Sequence, residues 1–303
     1  MHIPVLLRES LAAIDPRPGE FFVDGTFGGG GFSEAILRRV GVSGTVLAVD
    51  ADPRAIVSGA AMTHAHPNLV LREGNYADVQ TILDEAGMGP AHGIVIDLGF
   101  SSSQLAGSGR GFSFSAAAAG EPLLMTYSDR EPPVRELLRG MSEAELRHVI
   151  RAFGEERFAG RIARAIADAV RRKPIETAGE LADIVRGAVP KSYGYVKRRG
   201  ARRIDPATRT FQALRIYANR ELENLERILG DLPRVLRPDG RAAFISFHSL
   251  EDRIVKTHFR ALEAAGVFEL ITRKPITASA EEVSANPRSR SAKLRAGRMH
   301  HIV

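Results

Sequence analysis

The chain has 303 residues, enough for one large domain or two smaller ones with a real core. It contains no cysteine, which excludes disulfides and thiolate metal sites and fits a cytoplasmic location. Its 42 Lys/Arg against 36 Asp/Glu give a formal charge of +6 and a pI of about 9.9, a balance that suggests a polyanionic partner.

The opening "MHIPVLLRESL" is too short in apolar residues to be a signal-peptide core. No run approaches the apolar length that spans a bilayer, so no membrane partner is expected. "EFFVD" (20–24) reads as a buried strand, followed by five glycines in the seven positions Gly25 to Gly31 and then by a helix, "SEAILRRV". "TVLAVD" (45–50) is a second strand. The next helix starts at Asp52, with Pro53 in its first turn. "NLVLREG" (68–74) and "GIVIDLG" (93–99) are the third and fourth strands, separated by a helix that ends at Gly87. Short apolar strands alternating with helices predict a parallel sheet covered on both faces.

The rhythm breaks after Gly99. Residues 100 to 128 are rich in Ser, Gly and Ala without clear periodicity. Four helical patterns follow, near 132–139, from Ser142, over 155–172 and from Thr177; those at Ser142 and Thr177 open with capping boxes completed by Glu145 and Glu180. A basic loop over 190–203 ends this block. A long amphipathic helix is predicted over 206–229, then a turn at "LRPDGR" (236–241), a strand at 242–247, a helix from Ser249 and a strand at 268–274. The whole reads as one α/β sheet interrupted after its fourth strand by a helical insertion.

The glycine loop selects among cofactors. A phosphate P-loop needs Lys-Ser/Thr after its glycines, and here Gly31 is followed by Phe32-Ser33-Glu34. A dinucleotide fingerprint, G-x-G-x-x-G, fails from Gly28 because Ser33 stands sixth, and fails from Gly25 because Phe27 stands third. The register Asp24-Gly25-Thr26-Phe27-Gly28-Gly29-Gly30 fits S-adenosyl-L-methionine better, with Thr26 in place of one glycine. Asp50, which ends the second strand, is then the acid for the ribose hydroxyls. Asp52 is better placed than Asp50 to cap the helix that follows.

Eight blocks in order carry a resemblance: "HIPVLLRESL" (2–11), "DGTFGGGGFS" (24–33), "DLGFSSSQL" (97–105), "RGFSF" (110–114), "GEERFAGRIARAI" (154–166), "PATRTFQALRI" (206–216), "SFHSLEDRIVK" (246–256) and "NPRSRSAKLR" (286–295). The sequence resembles the RsmH/MraW family of small-subunit rRNA cytosine-N4 methyltransferases. The resemblance implies a Rossmann-like class I methyltransferase sheet over 1–106 and 206–303, with an inserted all-helical substrate domain over 107–205. It implies S-adenosyl-L-methionine as cofactor, with Asp24 and Gly28 in the loop and contacts at Gly30, Gly31, Phe32, Asp50, Tyr76, Asp97 and Gln104. The partner implied is 16S rRNA within the small ribosomal subunit, the target a cytosine of its decoding centre, and no metal is implied. The chain departs from the family pattern at Phe32, where a histidine is usual, at Leu124 and Thr126 after "RGFSF", and at Asp205 before Pro206. The alternative is a diverged RNA-binding or assembly protein with reduced or shifted activity.

The candidate catalytic residues are Asp97, at a strand end where open α/β sheets bind ligands, His248 and Ser246. Ser101 and Ser102 are weaker acceptors, and Ser249 with Asp252 is read as a helix cap. From Arg186 to Arg203 there are seven Lys/Arg and no acid, and from Val283 to Val303 five and no acid. The candidate RNA contacts are Lys191, Tyr193, Tyr195, Lys197, Arg198 and Arg199 of the first run, together with Arg209 and the basic tail. Tyrosines among cations suit base stacking beside phosphate contacts.

Overall fold

The computed structural model describes residues 4–99, 108–190, 193 and 205–300. The chain divides into two compact units, residues 1–101 with 222–303, and residues 102–221.

The first unit is built on an eight-stranded sheet. Its strands are β1 (Phe21–Asp24), β2 (Thr45–Asp50), β3 (Leu69–Glu73), β4 (Ala91–Asp97), β5 (Leu236–Ser246), β6 (Phe268–Leu270), β7 (Ile276–Thr277) and β8 (Lys293–Met299). The order is β3-β2-β1-β4-β5-β8-β6, with β7 beside β8. Strands β1 to β5 run parallel, and β8 pairs antiparallel with β5, β6 and β7. The runs Val46–Val49, Ile94–Ile96 and Ala242–Ile245 are apolar at every position and wholly buried, because both faces are covered. On one face lie α1 (Leu7–Ile14) and α2 (Gly31–Val40), which contribute Leu11, Ile14, Ile36 and Val40. On the other lie α4 (Val79–Glu85), α10 (Glu221–Val235) and α11 (Ser249–Ala264), with Leu83, Ile228, Leu232 and Phe259. Helix α3 (Pro53–Ala65) starts where expected, and the Asp52 carboxylate accepts the Arg54 amide as its cap. Gly93 of β4 and Gly297 of β8 lie under the rings of Phe22 and Phe268, where a Cβ would overlap the ring.

Three expectations change here. The turn at Pro238-Asp239-Gly240 sits inside β5 as a bulge: Ala91 faces Leu236, but Gly93 already faces Arg241, and Asp239 has φ 62°. The strand expected over 268–274 ends at Leu270, and Thr272 then meets Ala296 twice: its amide donates to the Ala296 carbonyl at 3.0 Å and its Oγ1 accepts the Ala296 amide at 2.9 Å. The basic tail contains β8. Arg295 is buried against Asp252, Lys293 reaches the same carboxylate, and Arg298 pairs with Glu269, so these three cations are committed to the sheet.

The second unit is helical over its described residues: α5 (Val134–Gly140), α6 (Glu143–Gly154), α7 (Ala159–Arg172), α8 (Ala178–Ala188) and α9 (Ala207–Ala218). Both capping boxes form as read, Ser142 with Glu145 and Thr177 with Glu180. The helix expected over 155–172 starts only at Ala159. Glu155 turns left-handed at φ 48°, and the buried Glu156 accepts the Phe158 amide. The helix expected over 206–229 is two helices. Asn219 breaks it by donating to the Met125 and Arg215 carbonyls and accepting the Tyr127 amide, and Arg220 takes φ 52°. Asp205, one of the departures, accepts the Ala207 amide at the start of α9 and pairs with Arg186 at 2.9 Å.

Candidate functional site

The carboxyl ends of the parallel strands bring together Asp24 (β1), Asp50 (β2), Asp97 (β4) and Ser246 (β5), where loops of such sheets hold ligands. Gly28 and Gly30 have φ of 53° and 78°, conformations open to a residue without Cβ, and they fold the loop back on itself. The Gly30 amide donates to the Phe27 carbonyl at 2.7 Å, and Gly30 leads directly into α2 at Gly31. The Gly28 amide donates to Asp50 Oδ2 at 2.6 Å, while Asp50 Oδ1 accepts the Asp52 amide at 2.8 Å.

Asp24 is fully buried. Its Oδ1 accepts the Thr26 amide at 3.1 Å and its Oδ2 the Ser33 hydroxyl at 2.6 Å. Burial pushes its pKa up to about 6 despite those bonds, and the nearby Asp50 charge adds to the rise. Thr26 Oγ1 in turn accepts the Asp97 amide at 2.8 Å, tying the loop to the end of β4. Sequence reasoning missed these roles of Thr26 and Ser33; the signal was two hydroxyl residues flanking the glycines.

Asp97 Oδ1 accepts the Gly99 amide at 2.9 Å. Burial is the main cause that lifts its pKa to about 7, and the negative charges of Asp24 and Glu251 act in the same direction. Gly99 passes so close to the Phe247 ring that a Cβ would stand 2.5 Å from it. His248 is the N-cap of α11, a role read for Ser249. The box is completed by Glu251 rather than Asp252: Glu251 Oε2 accepts the Phe247 amide at 2.7 Å and the His248 amide at 3.3 Å. His248 Nε2 lies 2.9 Å from Glu251 Oε1 without hydrogen-bond alignment. Asp252 accepts from Arg295 Nε at 2.7 Å and from Lys293 Nζ at 2.9 Å. Burial would raise its pKa, and the bonds from the two cations outweigh that and leave it lowered.

The remaining expected residues fall out unevenly. Tyr76 starts a short 3-10 turn after β3, half-buried, its Cβ beside Gly25. Phe32 is 4% exposed and packs in the core with Leu11 and Ile36. Ser246 is 1% exposed, and its hydroxyl donates to the Lys293 carbonyl at 3.3 Å beside the β5–β8 pairing. Gln104, Ser101, Ser102, Lys191, Tyr195, Lys197, Arg198 and Arg199 lie outside the described residues. In the second unit, Tyr193 and Arg209 meet at Glu156. The Tyr193 hydroxyl donates to Glu156 Oε2 at 2.6 Å, and Arg209 Nη1 lies 4.0 Å from the same oxygen.

The loop fits an adenosyl amino acid. A Cβ at Gly29 would meet nothing within 4 Å, so the loop presents bare backbone to open space beside the Asp50 carboxylate that ends β2. The described residues hold no helix long and apolar enough to cross a membrane.

The profile of the MraW methylase family matches residues 1–300. The chain is 44% identical over 312 residues to the ribosomal RNA small subunit methyltransferase H of Anaeromyxobacter dehalogenans, covering 97% of this chain and 96% of that one. It is 43% identical over 317 residues to the protein of the same name from Syntrophus aciditrophicus, with 97% and 96% covered. Against the one from Nitrobacter hamburgensis it is 44% identical over 310 residues, with 97% and 90% covered. A match over the whole sheet and the helical unit alike leaves one assignment: the chain belongs to the MraW methylase family.

Proposed function

We propose that the protein methylates the exocyclic N4 amine of one cytosine in the decoding centre of 16S rRNA, acting in the cytoplasm on the small ribosomal subunit. The protein is a methyltransferase and its cofactor is S-adenosyl-L-methionine. The observation that carries the reading is the ring of strand-end carboxylates around a glycine loop, with one of them, Asp97, held near pKa 7. Gly28, Gly30, Gly31, Asp50 and Tyr76 would hold the cofactor, and Asp24 would hold the loop through Thr26 and Ser33. When bound, S-adenosyl-L-methionine supplies an electrophilic methyl group on a sulfonium.

The cytosine amine is a poor nucleophile because its lone pair is delocalised into the ring. Asp97 can accept one of its N–H hydrogens, localise the lone pair and take the proton afterwards; a pKa near the working pH suits a group that must do both. The Thr26 and Gly99 contacts fix the position of Asp97 before substrate arrives, which lowers the cost of reaching attack geometry. His248, locked as a helix cap with Glu251, serves to position the end of β5 rather than to exchange protons. The second unit is assigned to RNA recognition. Its Tyr193 and Arg209 meet at the buried Glu156.

The test is transfer of labelled methyl from S-adenosyl-L-methionine to small-subunit particles from a strain lacking the enzyme, with the modified base mapped. Label on N4 of a single cytosine supports the proposal. Label on another atom or another RNA, or none, overturns it.

A further inference from the structure

The segment "EERF" at 155–158, the start of the helix expected over 155–172, is instead a small aromatic platform. Glu156, 1% exposed, anchors it: Oε1 accepts the Phe158 amide at 2.8 Å and Oε2 the Tyr193 hydroxyl at 2.6 Å. Tyr193 and Phe158 meet edge to face, ring centroids 4.7 Å apart. The Arg157 guanidinium lies over both rings, 4.7 Å from the Phe158 centroid and 4.6 Å from that of Tyr193. Arg161 stands 5.8 Å from the Phe158 ring, and Arg209 flanks the buried carboxylate. Tyr193 is therefore an anchor with its hydroxyl and ring already engaged, rather than the open stacking surface that its sequence neighbourhood suggested.

The aromatic and carboxylate parts satisfy one another without Arg157. Its residue is exposed, and among the described residues no carboxylate pairs with it. A solvated arginine ordinarily samples many rotamers, but two rings hold this one at a fixed place. It thus offers the outer face of a planar cation and a row of N–H donors with little rotamer entropy left to lose. A planar guanidinium of this kind stacks on an unpaired base and donates to phosphate oxygens at its edge. Duplex RNA would present phosphates but no base face, so the arrangement suits a single strand.

We propose that Arg157, seated on Phe158 and Tyr193 and flanked by Arg161 and Arg209, is a stacking site for an unpaired base of the RNA substrate. This rests on the reading of the protein as an rRNA methyltransferase and adds the site in the second unit at which the strand is gripped.

The experiment uses the full chain and a short unstructured RNA oligonucleotide carrying 2-aminopurine, whose fluorescence is quenched on stacking, read across a salt series. Methyl transfer to small-subunit particles is measured in parallel. Arg157→Ala is expected to weaken oligonucleotide binding about tenfold and to abolish the quench at the stacked position, a loss in the range of one base–aromatic stack. Arg157→Lys keeps the charge and is expected to restore the salt dependence without the quench. Thermal unfolding of both variants at the wild-type midpoint shows that the fold is intact. If Arg157→Lys binds and quenches like wild type, or if Arg157→Ala binds like wild type, the stacking site is wrong while the methyltransferase reading stands. If the wild-type protein neither binds the oligonucleotide nor methylates the particles, the functional reading itself has failed and the inference goes with it.

Discussion

At the amino end of the parallel strands, Glu20 Oε1 accepts from Arg241 Nη2 at 2.7 Å, and the same guanidinium donates to the Asp15 carbonyl at 2.9 Å and the His92 carbonyl at 3.3 Å. His92 Nδ1 accepts the Phe21 amide, and Arg237 reaches its Nε2. At the carboxyl end, Asp24 and Asp97 accept only amides and a hydroxyl among their described partners, and their pKa values rise. At one end Glu20 has a cation for a partner; at the other, Asp24 and Asp97 have amides and a hydroxyl among the described residues. Compensation is what stability asks for. Its absence at Asp24 and Asp97 is what the proposed chemistry would draw on, since buried acids without cations are costly and find a use in proton transfer.

That contrast can be broken in order of expected effect. Asp97→Asn should lower the single-turnover methylation rate by ~10²- to 10⁴-fold with the fold intact, the range of a general base; a rate within threefold of wild type removes Asp97 from the chemistry. Arg241→Met at the other end should leave that rate unchanged in the folded enzyme. It should cost about 3 kcal/mol in urea unfolding, because the largely buried Glu20 is left without its cation.

The pH dependence follows in sign from the raised values. The folded state binds the Asp24 and Asp97 protons more tightly than the unfolded chain, so the stability these groups give is complete below about pH 4. It is lost as pH rises through about 6 and about 7. Urea midpoints between pH 5 and 8 should fall with pH, less so in Asp97→Asn, while the wild-type methylation rate rises through about pH 7. The smallest effect is at Asp52. Asp52→Ala removes the cap of α3 and should cost about 1 kcal/mol without changing the rate, in contrast to Asp50→Ala two residues earlier, which should raise the KM for S-adenosyl-L-methionine.

Much of this was legible because the first four strands are short apolar runs ending in acids. Asp24, Asp50 and Asp97 could be placed at one edge before any coordinates. What stayed hidden depended on distant partners. In "KLRAGRM" the cations mask a strand, since nothing local tells that Asp252 and Glu269 will meet Lys293, Arg295 and Arg298. The helical period runs unbroken through Asn219, and only the Met125 and Tyr127 backbone, some ninety positions away in sequence, turns that residue into a break. Phe32, a cofactor contact that the resemblance implies, sits on α2 and is buried with Leu11 and Ile36, a packing that only distant partners decide. The ring of His248 as a helix cap has no common precedent in sequence rules, which favour Ser, Thr, Asp and Asn.

The rings of Phe22 and Phe268 lying over Gly93 and Gly297 have a consequence for how this sheet can change over time. Each pair fills one volume from one side only, so neither member has freedom to vary alone. Gly93→Ala pushes a methyl into the ring, and Phe22→Ala leaves a void over a bare backbone. A tolerated path exchanges both together, and related sequences should therefore covary at 22 with 93 and at 268 with 297, a record of packing written in pairs rather than in single positions.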